Sequence, residues 1–162
     1  MKNPTTVERK GDRELVLTRT FDHAAHRVFE AWTKPELFTR WWVPKSFGLH
    51  LLSCEMDARE GGKYRLVFRV GENDSMAFFG TYVEVVPHSR LQWTNEEGGE
   101  NGPVTTVIFE ERDGKTRVVM TDRHPSKEAL DAAIASGSTS GASETFDQLD
   151  ELLGTPGAGT GR

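Results

Sequence analysis

His50 and Cys54 stand four residues apart on one face of a predicted strand, an arrangement that suggests a thiol-imidazole dyad. Four strand residues span about 13 Å, too far for the two groups to hydrogen-bond, so Cys54 reads as a small buried hydrophobe. His50 reads either as a polar pocket group or as a strand-end histidine at the surface. His23 and His26, three apart on a predicted helix beside Asp22, have a spacing that could hold a metal, but no further ligand is identifiable and they read as solvated helix residues. Asp122 and His124 continue the inward phase of the last predicted strand. With Tyr64, Tyr82 or His50 opposite, they would supply general acid/base chemistry inside an apolar cavity, where a carboxylate needs a partner or a raised pKa. The chain carries no GxGxxG, P-loop, nucleophile-elbow or zinc-protease motif, so no cofactor and no metal are expected, and nucleotide-dependent or covalent-hydrolase chemistry has no motif behind it.

These side chains have to be positioned by regular elements. Glu14 to Phe21 alternates Leu15, Leu17 and Phe21 with Val16, Thr18 and Thr20, which predicts a strand. Asp22 is the expected N-cap of a helix whose apolar positions are Ala25, Val28, Phe29 and Trp32. Thr33-Lys34-Pro35-Glu36 reads as a capping box that starts a short helix holding Leu37, Phe38, Trp41 and Trp42, ended by Pro44. Six strands follow in series, Phe47 to Asp57, Gly62 to Val70, Met76 to Val86, Arg90 to Asn95, Val104 to Arg112 and Thr116 to His124, each bounded by Gly, Pro, Asn or Asp. Short links such as Glu72 to Ser75, the acidic stretch Glu96 to Gly102, and Asp113-Gly114 make this an antiparallel meander. Ser126 is the expected cap of a helix over Lys127 to Ala135. After the small-residue run Ser136 to Gly141, a second helical stripe carries Ala142, Phe146, Leu149, Leu152 and Leu153. The fold class is therefore α+β, with seven antiparallel strands and two short helices between the first and second.

Length and composition agree with one domain. The chain has 162 residues, 20 Lys plus Arg against 25 Asp plus Glu, a formal net charge of −5, 28% charged and 36% hydrophobic residues. One domain of this size buries roughly 70% of its unfolded surface, enough for a core without disulfides or metal. No apolar run is long enough to span a membrane, and the acidic balance argues against a nucleic-acid partner. Cys54 is the single cysteine. The polar amino end lacks a signal-peptide stretch, so the cytoplasm is the expected location. The four Trp, nine Phe and two Tyr all lie between Phe21 and Phe146. This leaves residues 1–13 as a flexible flank, 14–153 as the domain and 154–162 as a disordered tail.

Alternation assigns the strand faces. Tyr64, Leu66 and Phe68 point inward, as do Leu91 with Trp93, Leu52 with Cys54 and Met56, and Val118 with Met120. In the two strands that are apolar on both faces, Phe78, Tyr82, Val107 and Phe109 are the preferred inward set. A one-sided sheet needs a cover, and the carboxy-terminal stripe around Phe146, Leu149 and Leu153 is the long apolar helix available, so the sheet is expected to curve around it. The inward aromatics with His50, Tyr64, Tyr82 and Asp122 form a set that can line a ligand pocket or simply fill a core; a void distinguishes the two. Trp41 and Trp42, about 100° apart on a helix, cannot both face the core centre, so one faces the sheet and the other packs at the seam or is exposed, where it would suit a partner protein or second subunit.

Three stretches, Arg19-Thr20-Phe21-Asp22-His23-Ala24, Val28 to Pro35 and Phe38 to Pro44, closely resemble the activator of heat-shock-protein-90 ATPase homologue-like family. Arg59 to Arg65, Gly80 to Pro87 with Arg90 to Thr94, and Gly141-Ala142-Ser143 with Leu149 to Leu153 extend the match from about Leu15 to Leu153. That family belongs to the START-like, birch-pollen-allergen-like superfamily. The resemblance implies a helix-grip fold, a seven-stranded antiparallel sheet gripping the long carboxy-terminal helix. It does not imply one function, since relatives bind hydrophobic small molecules, act as cyclases or dehydratases, or stimulate a chaperone ATPase. Relatives often carry a larger apolar residue where this chain has Ser138-Thr139-Ser140. The leading expectation is a non-enzymatic protein that binds a small hydrophobic molecule between sheet and final helix. Its wall is expected to be Trp32, Met56, Phe68, Tyr82, Trp93, Phe109, Met120 and Phe146, with His50, Tyr64 and Asp122 as polar orienters. The alternatives are a module that binds a chaperone or a second copy of the chain, and a cyclase- or hydrolase-type enzyme using the same cavity.

Overall fold

The computed structural model describes residues 5–42, 50–70, 72–96, 102–135 and 142–154. The proposed helix stop at Pro44, the start of a strand at Phe47, the acidic link at residues 97–101, the small-residue run with Ser138-Thr139-Ser140, and the tail from residue 155 lie outside them. The strands are β1 (Thr6–Lys10), β2 (Glu14–Phe21), β3 (His50–Met56), β4 (Lys63–Val70), β5 (Asp74–Val86), β6 (Arg90–Thr94), β7 (Val104–Arg112) and β8 (Lys115–Arg123). The helices are α1 (Ala25–Thr33), α2 (Pro35–Phe38), α3 (Lys127–Ala135) and α4 (Ala142–Leu153). All strand pairs are antiparallel, and the sheet order is β1-β2-β8-β7-β6-β5-β4-β3.

The sheet has eight strands rather than the seven expected. The extra one is β1, which falls in the segment read as a flank. It forms a hairpin with β2, in register from Thr6 opposite Thr18 to Lys10 opposite Glu14, turned by Gly11 at φ +63°. All five of its residues are exposed, so it has no one-sided apolar face for alternation to detect. The tight β7–β8 turn is as expected, with Asp113 and Gly114 both at positive φ (+57° and +79°).

Helix starts follow the chemistry only partly. Ser126 does cap α3, its Oγ accepting from the Ala129 N–H at 3.0 Å. Asp22 does not cap α1; the N-cap is Ala24, and the free amide of Ala25 donates to Glu111 Oε1 of β7 at 2.7 Å. Thr33 does not form the capping box either, because its hydroxyl turns back to the Phe29 carbonyl at 3.1 Å. Helix α2 is a single turn from Pro35, and Trp41 and Trp42 follow it in turn structure.

One face of the sheet is apolar and α1 and α4 close part of it. Helix α4 packs on β2 and α1, while α1 lies on β7 and β8. Phe146, Leu149, Leu152 and Leu153 of α4 are all buried, as its stripe predicts. Phe146 meets Phe21, Trp32 and Trp41 at ring-centroid distances of 5.9, 6.3 and 6.4 Å. The tie that fixes α4 is polar: Arg19 of β2 lies in phase with Leu15, Leu17 and Phe21, and its side chain is 1% exposed. Its guanidinium donates to Asp147 Oδ1 at 2.6 Å and Asp150 Oδ2 at 2.8 Å, one turn apart on α4, and to Thr5 Oγ1 at 3.1 Å. Gln148 Nε2 donates to the Trp41 carbonyl at 2.9 Å, and Arg27 caps the end of α4 by donating to the Leu153 carbonyl at 2.8 Å.

Removing the buried guanidinium gives up two charge-assisted hydrogen bonds to carboxylates that are themselves 46% and 22% exposed, whereas a lysine cannot reproduce the two-pronged geometry. Arg19→Ala is therefore expected to cost about 2 kcal/mol, read from urea denaturation, and Arg19→Lys to recover only part of it. A loss within about 0.5 kcal/mol of zero for Arg19→Ala would remove the tie from the account.

Candidate functional site

The strand ladders set side chains in rows across the inner face, because directly opposed residues in an antiparallel pair point to the same side. One row runs Leu15, Asp122, Thr105, Trp93, Tyr82 from β2 through β8, β7 and β6 to β5. The next is Leu17, Met120, Val107, Leu91, Val85. Beyond β5 the rows are Gly80, Tyr64, Met56 and Phe78, Leu66, Cys54. Over these last strands the cover is incomplete. Leu15, Leu17, Val107, Phe109, Val118 and Met120 are buried, while Cys54, Met56, Tyr64 and Phe78 are half-buried and Met76 is 38% exposed.

Above the Trp93 end sits an aromatic cluster. Trp32 of α1 lies 6.0 Å from both Trp93 and Phe109, 4.7 Å from Trp41 and 5.8 Å from Trp42. Trp41 is fully buried and donates its indole N–H to the Ala31 carbonyl at 2.8 Å. Trp42 is half-buried, stacked on Phe38 at 4.8 Å and edge-on to Trp93 at 6.1 Å; the pair thus divides between buried and half-buried, although both follow α2 in turn structure and do not lie on the helix expected. The indole N–H of Trp32 is buried and has no partner among the described residues. Tyr82 continues the wall, 6.4 Å from Trp93 and 5.8 Å from Tyr64.

A polar chain crosses the same face. The Tyr64 hydroxyl donates to the Thr94 carbonyl at 2.8 Å and lies 3.3 Å from Asn95 Oδ1. Asn95 Nδ2 donates to the Pro103 carbonyl and to Thr105 Oγ1, both at 3.0 Å. The Pro103 carbonyl can only accept, which fixes the orientation of the amide. Thr105 Oγ1 is thereby an acceptor from Asn95, and its own proton goes to Asp122 Oδ1 at 2.6 Å. Gly80 makes room for this arrangement: a Cβ there would stand 1.9 Å from the Thr94 carbonyl oxygen and 2.9 Å from the Tyr64 ring.

Burial pushes the Asp122 carboxyl above the usual carboxylate range, against the opposing pull of the Thr105 hydrogen bond and of His124. Burial also raises the Tyr82 hydroxyl and, with Glu55, the Cys54 thiol, which keeps Cys54 a thiol and not a nucleophile. His23 is lowered by burial and by Arg27 beside it. Among the described residues no group of three His, Cys, Asp or Glu side chains is placed to hold a metal ion.

Of the residues predicted from sequence, the structure brings Trp32, Tyr82, Trp93, Phe109, Met120, Asp122 and Phe146 onto or over the covered part of the inner face, and Tyr64, Met56 and Phe68 onto its half-open side. His50 is elsewhere. The β3–β4 register shifts between Leu51 and Ser53, so Leu52 is extruded, Leu51 faces Phe68, and His50 pairs with Arg69 on the outer face. His50 is exposed and Leu52 is 56% exposed, correcting the inward assignment of both. A second shift between Tyr82 and Glu84 extrudes Val83 and moves the inward phase of β5 to Val85, which is why both faces of that segment read as apolar. Sequence reasoning missed Asn95, Thr105 and Arg19. Thr105 and Arg19 each share the phase of inward apolar neighbours, and a polar residue in that phase was the available signal.

A group that holds its proton more tightly folded than unfolded stabilises most below the ordinary carboxylate range, and that stability is lost as pH rises through its raised value. Asp122→Asn keeps an acceptor for Thr105 and removes the titration. Between about pH 4 and about pH 7 its urea midpoint is expected to fall less than that of the parent protein, ending at or above it; parallel curves would show that Asp122 is not strained by burial.

A model of the family described as activator of Hsp90 ATPase homolog 1-like protein matches residues 22–154. No curated protein matches the chain. Among solved structures, a Rhodobacter sphaeroides protein is 22% identical with a TM-score of 0.83, covering 92% of this chain and 97% of its own. A Nitrosomonas europaea protein is 25% identical with a TM-score of 0.79, covering 90% and 96%. A Staphylococcus epidermidis protein solved by NMR is 29% identical with a TM-score of 0.75, covering 91% and 93%. The order of elements, the antiparallel sheet and the final helix agree with the helix-grip fold. The chain belongs to the activator of Hsp90 ATPase homolog 1-like family.

Proposed function

We propose that this member of the activator of Hsp90 ATPase homolog 1-like family binds a small hydrophobic molecule on the inner face of its sheet, between β3–β5 and the helices. The carrying observation is the uneven cover. Apolar side chains that point inward, Met56, Tyr64 and Phe78, keep accessible surface next to the buried row of Tyr82 and Trp93. A sheet whose inner face served only as core would close over all of them, since each half-exposed apolar side chain forfeits part of the ~1.5–3 kcal/mol that full burial contributes. Trp32 supports the same reading, because a buried indole N–H without an acceptor is costly and an acceptor on a bound molecule would satisfy it.

The test has two parts. Native mass spectrometry of freshly purified protein should show a bound mass that leaves on denaturation, and decanol should give a saturable change in tryptophan emission. Met56→Arg, which places a charge on the half-open shelf, should weaken decanol binding about tenfold or more without unfolding the protein. The absence of saturable binding, or an affinity unchanged by Met56→Arg, would contradict the proposal.

A further inference from the structure

We infer that the free edge of β3 pairs antiparallel with the β3 edge of a second copy of this chain, in the register that sets His50 of each copy opposite Glu55 of the other. The sheet ends at β3, and among the described residues no strand lies beside its outer edge. Five of its seven residues are exposed, including Leu51 at 40% and Leu52 at 56%. An edge that carries two exposed leucines is a template for a further strand. Helix α2 packs on β3 with its Leu37 and Phe38 in the core, and so covers the strand from the inner side.

The bulge selects the partner. Its extra residue, Leu52, inverts the phase of β3, so that His50, Ser53 and Glu55 point outward while Leu51, Cys54 and Met56 point inward. A regular strand laid along such an edge falls out of phase past the extra residue, which is how bulges guard edges. A second copy carries the same inversion. Placed across a two-fold axis between Leu52 and Ser53, it sets outward residues opposite outward and inward opposite inward on both sides of the bulge, His50 with Glu55 and Leu51 with Cys54. No other antiparallel register of β3 on itself keeps as long a run in phase.

The chemistry of the joined rows matches as well as their phase. On the inner face the row reads Phe78, Leu66 and Cys54 of one copy, then Leu51, Phe68 and Met76 of the other, apolar throughout, so the two half-open shelves become continuous. On the outer face Phe79, Arg65 and Glu55 are followed by His50, Arg69 and Ser75 of the second copy. Glu55 is exposed and forms no ion pair among the described residues; in the dimer it lies between Arg65 of its own chain and His50 and Arg69 of the other. The pairing needs no ligand, and its failure would leave the ligand-binding reading as it stands.

Sedimentation equilibrium of the full chain, over the attainable range of protein concentration, is expected to show a reversible dimer. Glu55→Lys sets like charge beside His50 and Arg69 of the second copy at two symmetric points and should weaken the dimer about tenfold or more. His50→Glu combined with Glu55→Lys restores opposite charges and should restore association, which separates complementarity from a loss of fold. Disulfide trapping reads the register. Leu51→Cys faces Cys54 of the second copy, so mild oxidation should give a covalent dimer. The parent protein should not crosslink, because the two Cys54 thiols stand about 10 Å apart along the strand direction, and neither should Leu51→Cys combined with Cys54→Ser. A parent protein that stays monomeric, a dimer indifferent to Glu55→Lys, or a Leu51→Cys variant that does not crosslink would overturn the inference. Crosslinking of the parent protein through Cys54 would show a different register and overturn it equally.

Discussion

Arg19 draws Asp147 and Asp150 onto β2, and the place of that tie decides which part of the sheet is closed. Because α4 is fixed over β2 and α1, its apolar stripe seals the β2 side while α1 covers β7 and β8, and Phe146 reaches the aromatic cluster from there. Burying an arginine is expensive unless its donors are used; two carboxylates one helical turn apart take Nη1 and Nη2 of Arg19, while its buried Nε has no partner among the described residues. The other half of the sheet, β3 to β5, receives no equivalent tie among the described residues. There Cys54, Met56, Tyr64 and Phe78 are left partly accessible beside the buried Leu66, Phe68 and Tyr82, although α2 packs on β3, and the proposed binding surface is the consequence of a cover anchored at one side.

Much of the architecture was legible in the alternation of strand residues. Tyr64, Leu66 and Phe68 of β4, and Leu91 and Trp93 of β6, face inward as read, and so do Val107, Phe109, Val118 and Met120. The failures have local causes. A single extra residue inverts every side chain beyond it, so the bulge at Leu52 sent His50 to the outer face and removed it from the three candidates, Tyr64, Tyr82 and His50, expected opposite Asp122. The β1 strand escaped notice because all its residues are exposed. Helix α1 takes its N-terminal acceptor from Glu111, far away in sequence, instead of from the adjacent Asp22, a choice that local capping rules cannot register.

The polar part of the site was legible only as one member, Asp122, together with Tyr64. The links between them, Asn95 and Thr105, are ordinary residues whose significance comes from the β6–β7–β8 register. Family membership supplies the frame of sheet and final helix but no activity, so the functional reading stands on two local facts: the half-open shelf, and the indole N–H of Trp32, which has no acceptor among the described residues. The same fold with a fully closed shelf would have no room for such a reading.

The most direct measurement of the central claim is a proton–nitrogen NMR titration of the indole N–H signals with decanol. Trp32 and Trp41 are adjacent, yet Trp41 donates to the Ala31 carbonyl whereas Trp32 has no acceptor among the described residues. A molecule seated on the inner face should shift the Trp32 indole signal in a saturable way and leave the Trp41 signal nearly still. A Trp32 signal that does not move, or shifts confined to outward-facing residues such as His50 and Val83, would contradict the account.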